Sequence, residues 1–222
     1  MIFFIFALTV YVCALLIYKQ SPDSLKENSL TFYENFKTIR ASLFSGLLFL
    51  IIFLFVSDFK YLVINETLYK IFALNNYWEL SKFWLFQVIT HLFIHNDLYH
   101  LLGNVSGIGI ASIYERRVGS KRFLIVFAVA SLVSIPSIIF YPKGTSICGI
   151  SGGVFGLFAA YFTDHKTLTF KKWLGAILGC IFLFTILSIT TGFKHNVDYT
   201  GHTMGAIGAI IYCRLTNSRR FS

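Results

Sequence analysis

The chain has 222 residues, of which 56% are hydrophobic, 18% aromatic and only 13% charged, with a net charge of +9. Soluble domains carry about 25% charged residues, and a mean hydropathy of +0.69 exceeds what one water-soluble core of this length buries. These values exclude a disordered chain and favour a membrane protein. A disulfide framework is excluded as well, because the four cysteines at 13, 148, 180 and 213 show no pairing pattern.

Seven apolar stretches are candidates to cross about 30 Å of hydrocarbon. They cover residues 1–18, 42–58, 98–114, 122–141, 151–163, 173–191 and 199–213. The first stretch lacks the basic start and the small-residue cleavage site of a signal peptide, so we expect a retained helix. The fifth is short and begins with glycines, so it could start below the membrane surface. Such a buried start is allowed where protein or a water-filled cavity surrounds it.

The predicted fold is an all-α, polytopic transmembrane helical bundle. A six-helix core spans residues 42–215, and an extra transmembrane helix at 1–18 precedes it. Residues 19–41 form a polar cytoplasmic connector, and residues 216–222 form a short basic cytoplasmic tail.

Basic residues concentrate in alternate connections. Fourteen of the 19 Lys and Arg lie in the first connector, after the third and fifth stretches, and at the C-terminus. The other connections hold five: Lys60, Lys70, Lys82, Lys143 and Lys194. Because cytoplasmic loops are enriched in Lys and Arg, the asymmetry places the N-terminus outside and the C-terminus in the cytoplasm. A nucleic-acid partner is not expected, since the spans divide the charge instead of gathering it into one patch.

The outer connector at 59–97 is rich in aromatic residues and poor in charge. It contains Trp78, Trp84, Tyr61, Tyr69 and Tyr77. Such side chains prefer the bilayer interface, so a membrane-lying loop with short amphipathic helices is favoured over a soluble loop.

Polar residues cluster at the outer ends of three predicted spans. His100 and Asn104 begin the third, Ser151 begins the fifth, and His202 begins the seventh, close to Asp198. Polar groups are costly in hydrocarbon and tend to be functional. Their agreement in depth predicts one site below the outer surface.

The residue types indicate acyl transfer. Ser151 is the candidate nucleophile and His202 the candidate base that accepts its proton. His100 and Asn104 are one helical turn apart and share a face, from which they can stabilise an oxyanion together with the Ser151 backbone N–H. Gly149 and Gly152 flank the serine and allow a bend and a close approach.

Small residues on two spans predict close packing between the helices that carry the serine and the histidine. Gly152 and Gly156 form a G-x-x-x-G face, and Gly201, Gly205, Gly208 and Ala209 form a similar one. The pattern Gly149–Ser151–Gly153 matches a nucleophile elbow, but no strand is expected before it, so the α/β-hydrolase context is missing.

Other polar residues have simpler interpretations. His91 and His95 have zinc-ligand spacing, but without H-E-x-x-H or a nearby carboxylate we expect no metal, and we interpret both as structural hydrogen-bonding residues. Asp198 either orients His202 or caps the last helix. Cys148 is given no role.

Four motifs in order resemble the rhomboid family of intramembrane serine proteases, over residues 42–213. They are H-x-x-x-N at His100–Asn104, E-R-R-V-G-S-K-R-F from Glu115 to Phe123, G-x-S-G-x-x-F-G from Gly149 to Gly156, and D-x-x-x-H-x-x-G from Asp198 to Gly205. His91 and His95 precede the first motif, as in the family.

The resemblance implies a Ser151–His202 dyad with oxyanion positions at His100 and Asn104. It places Phe155 where an aromatic ring packs on the catalytic histidine, and gives Glu115 a structural role on the cytoplasmic side with Arg116. It also implies cleavage of transmembrane segments of other proteins near the outer membrane surface, without a cofactor.

The chain departs from the family pattern at three places. Phe86–Gln87 stands where a Trp-Arg or Trp-Gln pair is usual, Gly201 replaces a more frequent Ala, and Ala209 replaces the second glycine of the last helix. None of these changes removes a reacting group.

The leading hypothesis is thus an intramembrane serine endopeptidase in the bilayer, with the bacterial plasma membrane as the expected location. A rhomboid-like pseudoprotease that binds transmembrane clients without cutting them is the alternative, although Ser151 and His202 are both present. A transporter is disfavoured because no internal repeat is evident.

Overall fold

The structure is a computed structural model, and it describes residues 32–58, 60, 62–76, 84–190 and 197–220. The predicted helix at 1–18 and connector residues 19–31 lie outside the described residues.

Helices make up most of the described chain, as the sequence predicts. They are α1 (Phe32–Thr38), α2 (Arg40–Val56), α3 (Glu66–Phe72), α4 (Trp84–Thr90), α5 (Leu98–Val118), α6 (Ser120–Ser134), α7 (Ser151–Thr163), α8 (Phe170–Thr190) and α9 (Tyr199–Arg220). A 3₁₀ helix, Ile135–Phe140, continues α6. Helices α2 and α5 to α9 coincide with the six predicted core stretches.

Two helices occupy segments that the sequence predicts to be polar connections. Helix α1 lies inside the predicted connector 19–41, and α9 continues to Arg220 instead of ending near residue 213. The predicted tail at 216–222 is therefore helical over its first five residues. Hydropathy locates the apolar part of a helix, whereas Arg, Asn and Thr continue the same backbone hydrogen-bonding pattern into the polar region.

Short strands also accompany the helices, which an all-α fold does not include. β1 (Ser57–Asp58) pairs antiparallel with β2 (Val63–Ile64), and β3 (Leu74–Asn75) pairs antiparallel with β4 (Ser146–Ile147). A strand thus precedes Ser151 after all, contrary to expectation. Two-residue strands are too short to show an alternating pattern in the sequence.

The described part of the outer connector contains short helices, as the sequence predicts. The side chain of Asn65 caps α3 by accepting hydrogen bonds from the N–H groups of Thr67 and Leu68. Helix α4 exposes Leu85 and Ile89 while it buries Gln87, so its apolar face points outward, as suits a helix at a bilayer interface.

Within the described residues, one helix is long and apolar enough to cross a membrane by length and composition. It is the continuous segment Ser120–Phe140, with a mean hydropathy of 2.6 over its most apolar 18 residues. Helices Arg40–Val56 and Ser151–Thr163 are apolar but shorter. The prediction of seven spans therefore stays a prediction.

Helix α7 lies at the centre of the bundle. All residues from Ser151 to Ala160 are buried, and α7 packs against α5, α6, α8 and α9. With only 13 residues it is shorter than the roughly 20 needed to span hydrocarbon. Because these residues are buried, the end of α7 that carries Ser151 is surrounded by protein.

Glu115 joins the end of α5 to the start of α2. Its buried carboxylate accepts hydrogen bonds from the N–H groups of Ala41 and Ser42, each 2.8 Å long, and from the hydroxyl groups of Ser42 and Ser120. The first N–H groups of a helix lack internal partners, and the N-cap residue Ile39 offers no side-chain acceptor. Glu115 therefore caps α2 from a distant part of the chain.

Asp164 fixes the opposite end of α7. Its carboxylate accepts hydrogen bonds from Tyr114 Oη at 2.6 Å, from the Arg122 guanidinium at 2.7 Å and from Asn217 Nδ2 at 2.8 Å. Burial raises the pKa of the Asp164 carboxyl, but these hydrogen bonds lower it more, so the net pKa lies below the usual value. This cluster connects α7 to α5, α6 and α9.

Candidate active site

Ser151 and His202 meet at the contact between α7 and α9. Ser151 is the first residue of α7, and His202 lies in the first turn of α9. The Nε2 atom of His202 is 2.7 Å from the Oγ atom of Ser151, and both residues are buried. This is the distance at which a histidine can accept the proton of a serine hydroxyl.

Glycines allow the two helices to approach this closely. A Cβ atom on Gly205 would collide with the backbone of Gly152, and one on Gly152 would collide with the Ser134 side chain. Gly156 similarly faces Ala130 and the carbonyl oxygen of Gly205. Of the two small-residue faces, Gly152 and Gly205 therefore lie where main chain meets main chain.

The imidazole of His202 is held by an aromatic ring. Phe155 stacks on it with a centroid distance of 4.2 Å and an interplanar angle of 10°. Phe155 is one helical turn after Ser151, so a single helix supplies both neighbours of the histidine. Within the described residues, His202 Nδ1 has no hydrogen-bond partner.

Asp198 caps α9. Its Oδ1 atom accepts a 2.7 Å hydrogen bond from the N–H of Gly201, and its carboxylate also accepts hydrogen bonds from Ser137 Oγ and Tyr141 Oη. Of the two interpretations of Asp198, these hydrogen bonds support the cap. The side chain thereby ties the start of α9 to the segment that follows α6.

His100 and Asn104 both approach the backbone at Gly149, two residues before Ser151. Gly149 has φ +103°, and a Cβ atom there would lie 2.9 Å from His100 Nε2 and 3.6 Å from Asn104 Nδ2. Such a φ strains any residue with a Cβ atom, so glycine satisfies both the conformation and the close approach. The loop is also tied down by a 2.8 Å hydrogen bond from the N–H of Gly149 to the carbonyl oxygen of His91.

The Asn104 amide is available to a ligand. Asn104 is fully buried, and neither its Nδ2 nor its Oδ1 atom has a partner among the described residues. Buried amides are nearly always hydrogen-bonded. An unpartnered donor group near Ser151 is the arrangement expected where charge develops on a bound substrate.

His91 and His95 differ from each other. His91 Nδ1 makes a 2.7 Å hydrogen bond with the carbonyl oxygen of Gln87, as a structural histidine is expected to do. The same prediction is wrong for His95, because neither of its ring nitrogens has a partner within the described residues. Its ring instead packs edge-on against His100 at 5.1 Å and Phe49 at 5.9 Å, which spacing in the sequence cannot indicate.

Among the described residues near the serine, neither a thiol nucleophile nor a metal centre is indicated. Burial raises the pKa of the Cys148 thiol to about 12, and its Sγ atom donates a hydrogen bond to Asn96 Oδ1. In the part of the chain that the structure describes, no group of three or more His, Cys, Asp or Glu side chains could hold a metal ion.

Ser137 and Tyr141 are site-supporting residues that the sequence does not single out. They lie about 60 residues before Asp198, and their contact depends on the packing of α6 against α9. A lone serine or tyrosine near the end of an apolar stretch carries no signal of that contact.

Comparison with known proteins assigns the family. The Rhomboid domain model matches residues 82–219, which is more than half of the chain. The chain belongs to the rhomboid family. Rhomboid proteins are integral membrane proteins, and the helical bundle is consistent with the rhomboid fold.

Two curated rhomboid relatives are similar in sequence. The Rhomboid protease GluP of Bacillus subtilis (strain 168) is 30% identical over 126 residues, which cover 55% of this chain and 24% of that protein. The Rhomboid-like protease 3 of Toxoplasma gondii is 28% identical over 137 residues, which cover 59% of this chain and 51% of that protein. The matched region thus spans about a quarter of the first relative and about half of the second.

The departures from the rhomboid pattern have local structural explanations. A Cβ atom on Gly201 would collide with the Asp198 carboxylate, so the capping aspartate favours glycine over alanine there. Ala209 is fully buried and contacts the Gly156 position. Gln87 is buried and donates a hydrogen bond to the carbonyl oxygen of Ile71.

Proposed function

We propose that the chain is an intramembrane serine endopeptidase that cleaves transmembrane segments of other membrane proteins near the outer membrane surface. The observation that carries this proposal is the 2.7 Å separation of His202 Nε2 and Ser151 Oγ. The protease names of its relatives support the proposal at the level of the family.

The first half of the reaction transfers an acyl group to the serine. His202 Nε2 takes the proton of Ser151 Oγ while Oγ forms a bond to the scissile carbonyl carbon, and the carbonyl oxygen receives the π electron pair. When the tetrahedral intermediate collapses, the C–N bond breaks and the amine leaves with the proton from His202. The product is an ester between the substrate and Ser151.

The second half consumes water. His202 takes a proton from a water molecule, whose oxygen attacks the ester carbonyl, and it returns the proton to Ser151 Oγ as the acid product leaves. The stacked ring of Phe155 keeps the imidazole in position through both halves. A dyad suffices here, because the ring is oriented by packing without a third acidic residue.

His100 and Asn104 are the proposed oxyanion-stabilising residues. Asn104 has an unused amide donor, and both residues face the backbone at Gly149. The N–H of Ser151 at the start of α7 adds a donor and the favourable end of the helix dipole. Hydrogen-bond donors placed before the reaction stabilise the charge without reorganising.

The proposed placement of the protein follows the charge asymmetry. The N-terminus lies outside and the C-terminus in the cytoplasm of a bacterial plasma membrane, with a helix at 1–18 before the six-helix protease core. This orientation puts the start of α7 and the start of α9 at the outer side. Ser151 then lies below the outer surface, where a substrate segment and water can both reach it.

The test is cleavage of a single-span substrate by the purified protein in liposomes. We expect cleavage by the wild type and none by Ser151→Ala or His202→Ala. Ser112→Ala is the matched control, because Ser112 is also a buried helical serine and its Oγ atom makes no hydrogen bond within the described residues. Cleavage by Ser151→Ala at the wild-type rate would refute the mechanism. Binding of the substrate without cleavage by the wild type would indicate a pseudoprotease.

A further inference from the structure

A long apolar groove lies between α8 and α9. Both helices pack closely against α7 but not closely against each other, and the gap has a volume of about 390 Å³. The rings of Phe184 and Tyr199, 5.2 Å apart, close one end, and Trp173 lines the other. Phe155 and His202 form part of its inner wall.

The groove extends along about three turns of each helix. It runs from Trp173 to Phe184 along α8 and from Tyr199 to Ile210 along α9, which is about 16 Å in each case at 1.5 Å per residue.

The chemistry of the lining favours a hydrocarbon chain over an extended peptide. Most of the lining residues are apolar, among them Ala176, Ile177, Ile181, Ala206 and Ile207. A peptide would leave its N–H and C=O groups without partners, which is costly away from water. An acyl chain has no such groups.

The groove is also continuous with the lipid-facing surface of a protein whose family is integral to the membrane. Its rim residues Ile177, Ile181 and Ile207 are about half exposed. The bilayer therefore supplies the occupant directly. We propose that one acyl chain of a membrane phospholipid binds in the groove between α8 and α9, where it contacts Phe155 and His202.

Native mass spectrometry of the whole chain tests this inference. The protein in detergent is titrated with dioleoylphosphatidylglycerol, and the fraction that retains one lipid is measured. Ile181→Trp fills the groove, whereas Leu178→Trp is the matched control. Both residues are 54% exposed on the same helix, but Leu178 lies outside the groove. We expect Ile181→Trp to reduce retention at least about tenfold and Leu178→Trp to leave it within about twofold.

A second groove variant protects the test against misfolding. If Ile181→Trp lowers the melting temperature, Ile177→Trp is used, because Ile177 lines the same groove and is also 54% exposed. Dioleoylphosphatidylcholine should be retained to the same extent as dioleoylphosphatidylglycerol, since the groove contacts the acyl chain and not the headgroup. No retained lipid in the wild type, equal retention in the groove and control variants, or retention that depends only on the anionic headgroup would overturn the inference. The measurement needs no substrate, so it is independent of the proposed protease activity.

Discussion

Gly205 lies against the main chain of Gly152, so the helices that carry His202 and Ser151 touch without an intervening side chain. A Cβ atom on Gly205 would collide with the carbonyl group of Gly152, and backbone atoms cannot rotate away as a side chain can. The 2.7 Å distance between His202 Nε2 and Ser151 Oγ therefore depends on glycine at position 205, because glycine has no Cβ atom.

We predict that Gly205→Ala separates α7 from α9 and lowers kcat/KM for substrate cleavage by at least about 100-fold, because a misplacement of about 1 Å costs that much. Gly179→Ala on α8 is the control. The atom nearest to its Cβ would belong to the outer edge of the Phe162 ring, which can shift. The measurement is kcat/KM together with the melting temperature, and wild-type cleavage by Gly205→Ala would contradict the prediction.

The Asn104 amide leads to a prediction about rate and not about stability. We expect Asn104→Ala to lower kcat by about 10² to 10³-fold, since one lost oxyanion donor costs about 2.7–4 kcal/mol. Its melting temperature should change little, because the amide makes no hydrogen bond to the described residues.

Asn76 provides the contrasting case. It is also buried, but it donates to the carbonyl oxygens of Tyr141 and Pro142 and accepts from the N–H of Gly144. Asn76→Ala should therefore lower the melting temperature, because it removes three hydrogen bonds that hold residues 141–144. If Asn104→Ala lost stability and kept its kcat, Asn104 would be a structural residue.

The sequence predicts the six core helices and the residues of the candidate site because both leave strong local signals. Long apolar runs mark the helices, and the motifs around His100, Ser151 and His202 mark the site. Contacts such as Glu115 with the start of α2, or Ser137 with Asp198, join residues 74 and 61 positions apart. These contacts depend on how the helices pack, which no local pattern encodes. The strands escape prediction because two residues show no periodicity.

The Asp164 cluster predicts acid-sensitive stability. Because the folded-state pKa of Asp164 is lowered, the carboxylate stabilises the fold above the unfolded pKa of about 3.9 and loses this contribution as the pH falls through the folded value. We expect the wild-type melting temperature to decrease as the pH is lowered through that range. Asp164→Asn should be less stable at neutral pH and should vary less with pH. Parallel curves of melting temperature against pH for the two proteins would contradict this role.

The most direct measurement of the central claim is the site of labelling by a fluorophosphonate, which reacts with an activated serine. Mass spectrometry of the labelled protein should place the adduct on Ser151 in the wild type, and His202→Ala should lose the adduct because no base then activates the hydroxyl. An adduct on another serine, or equal labelling of Ser151 with and without His202, would contradict a Ser151–His202 dyad.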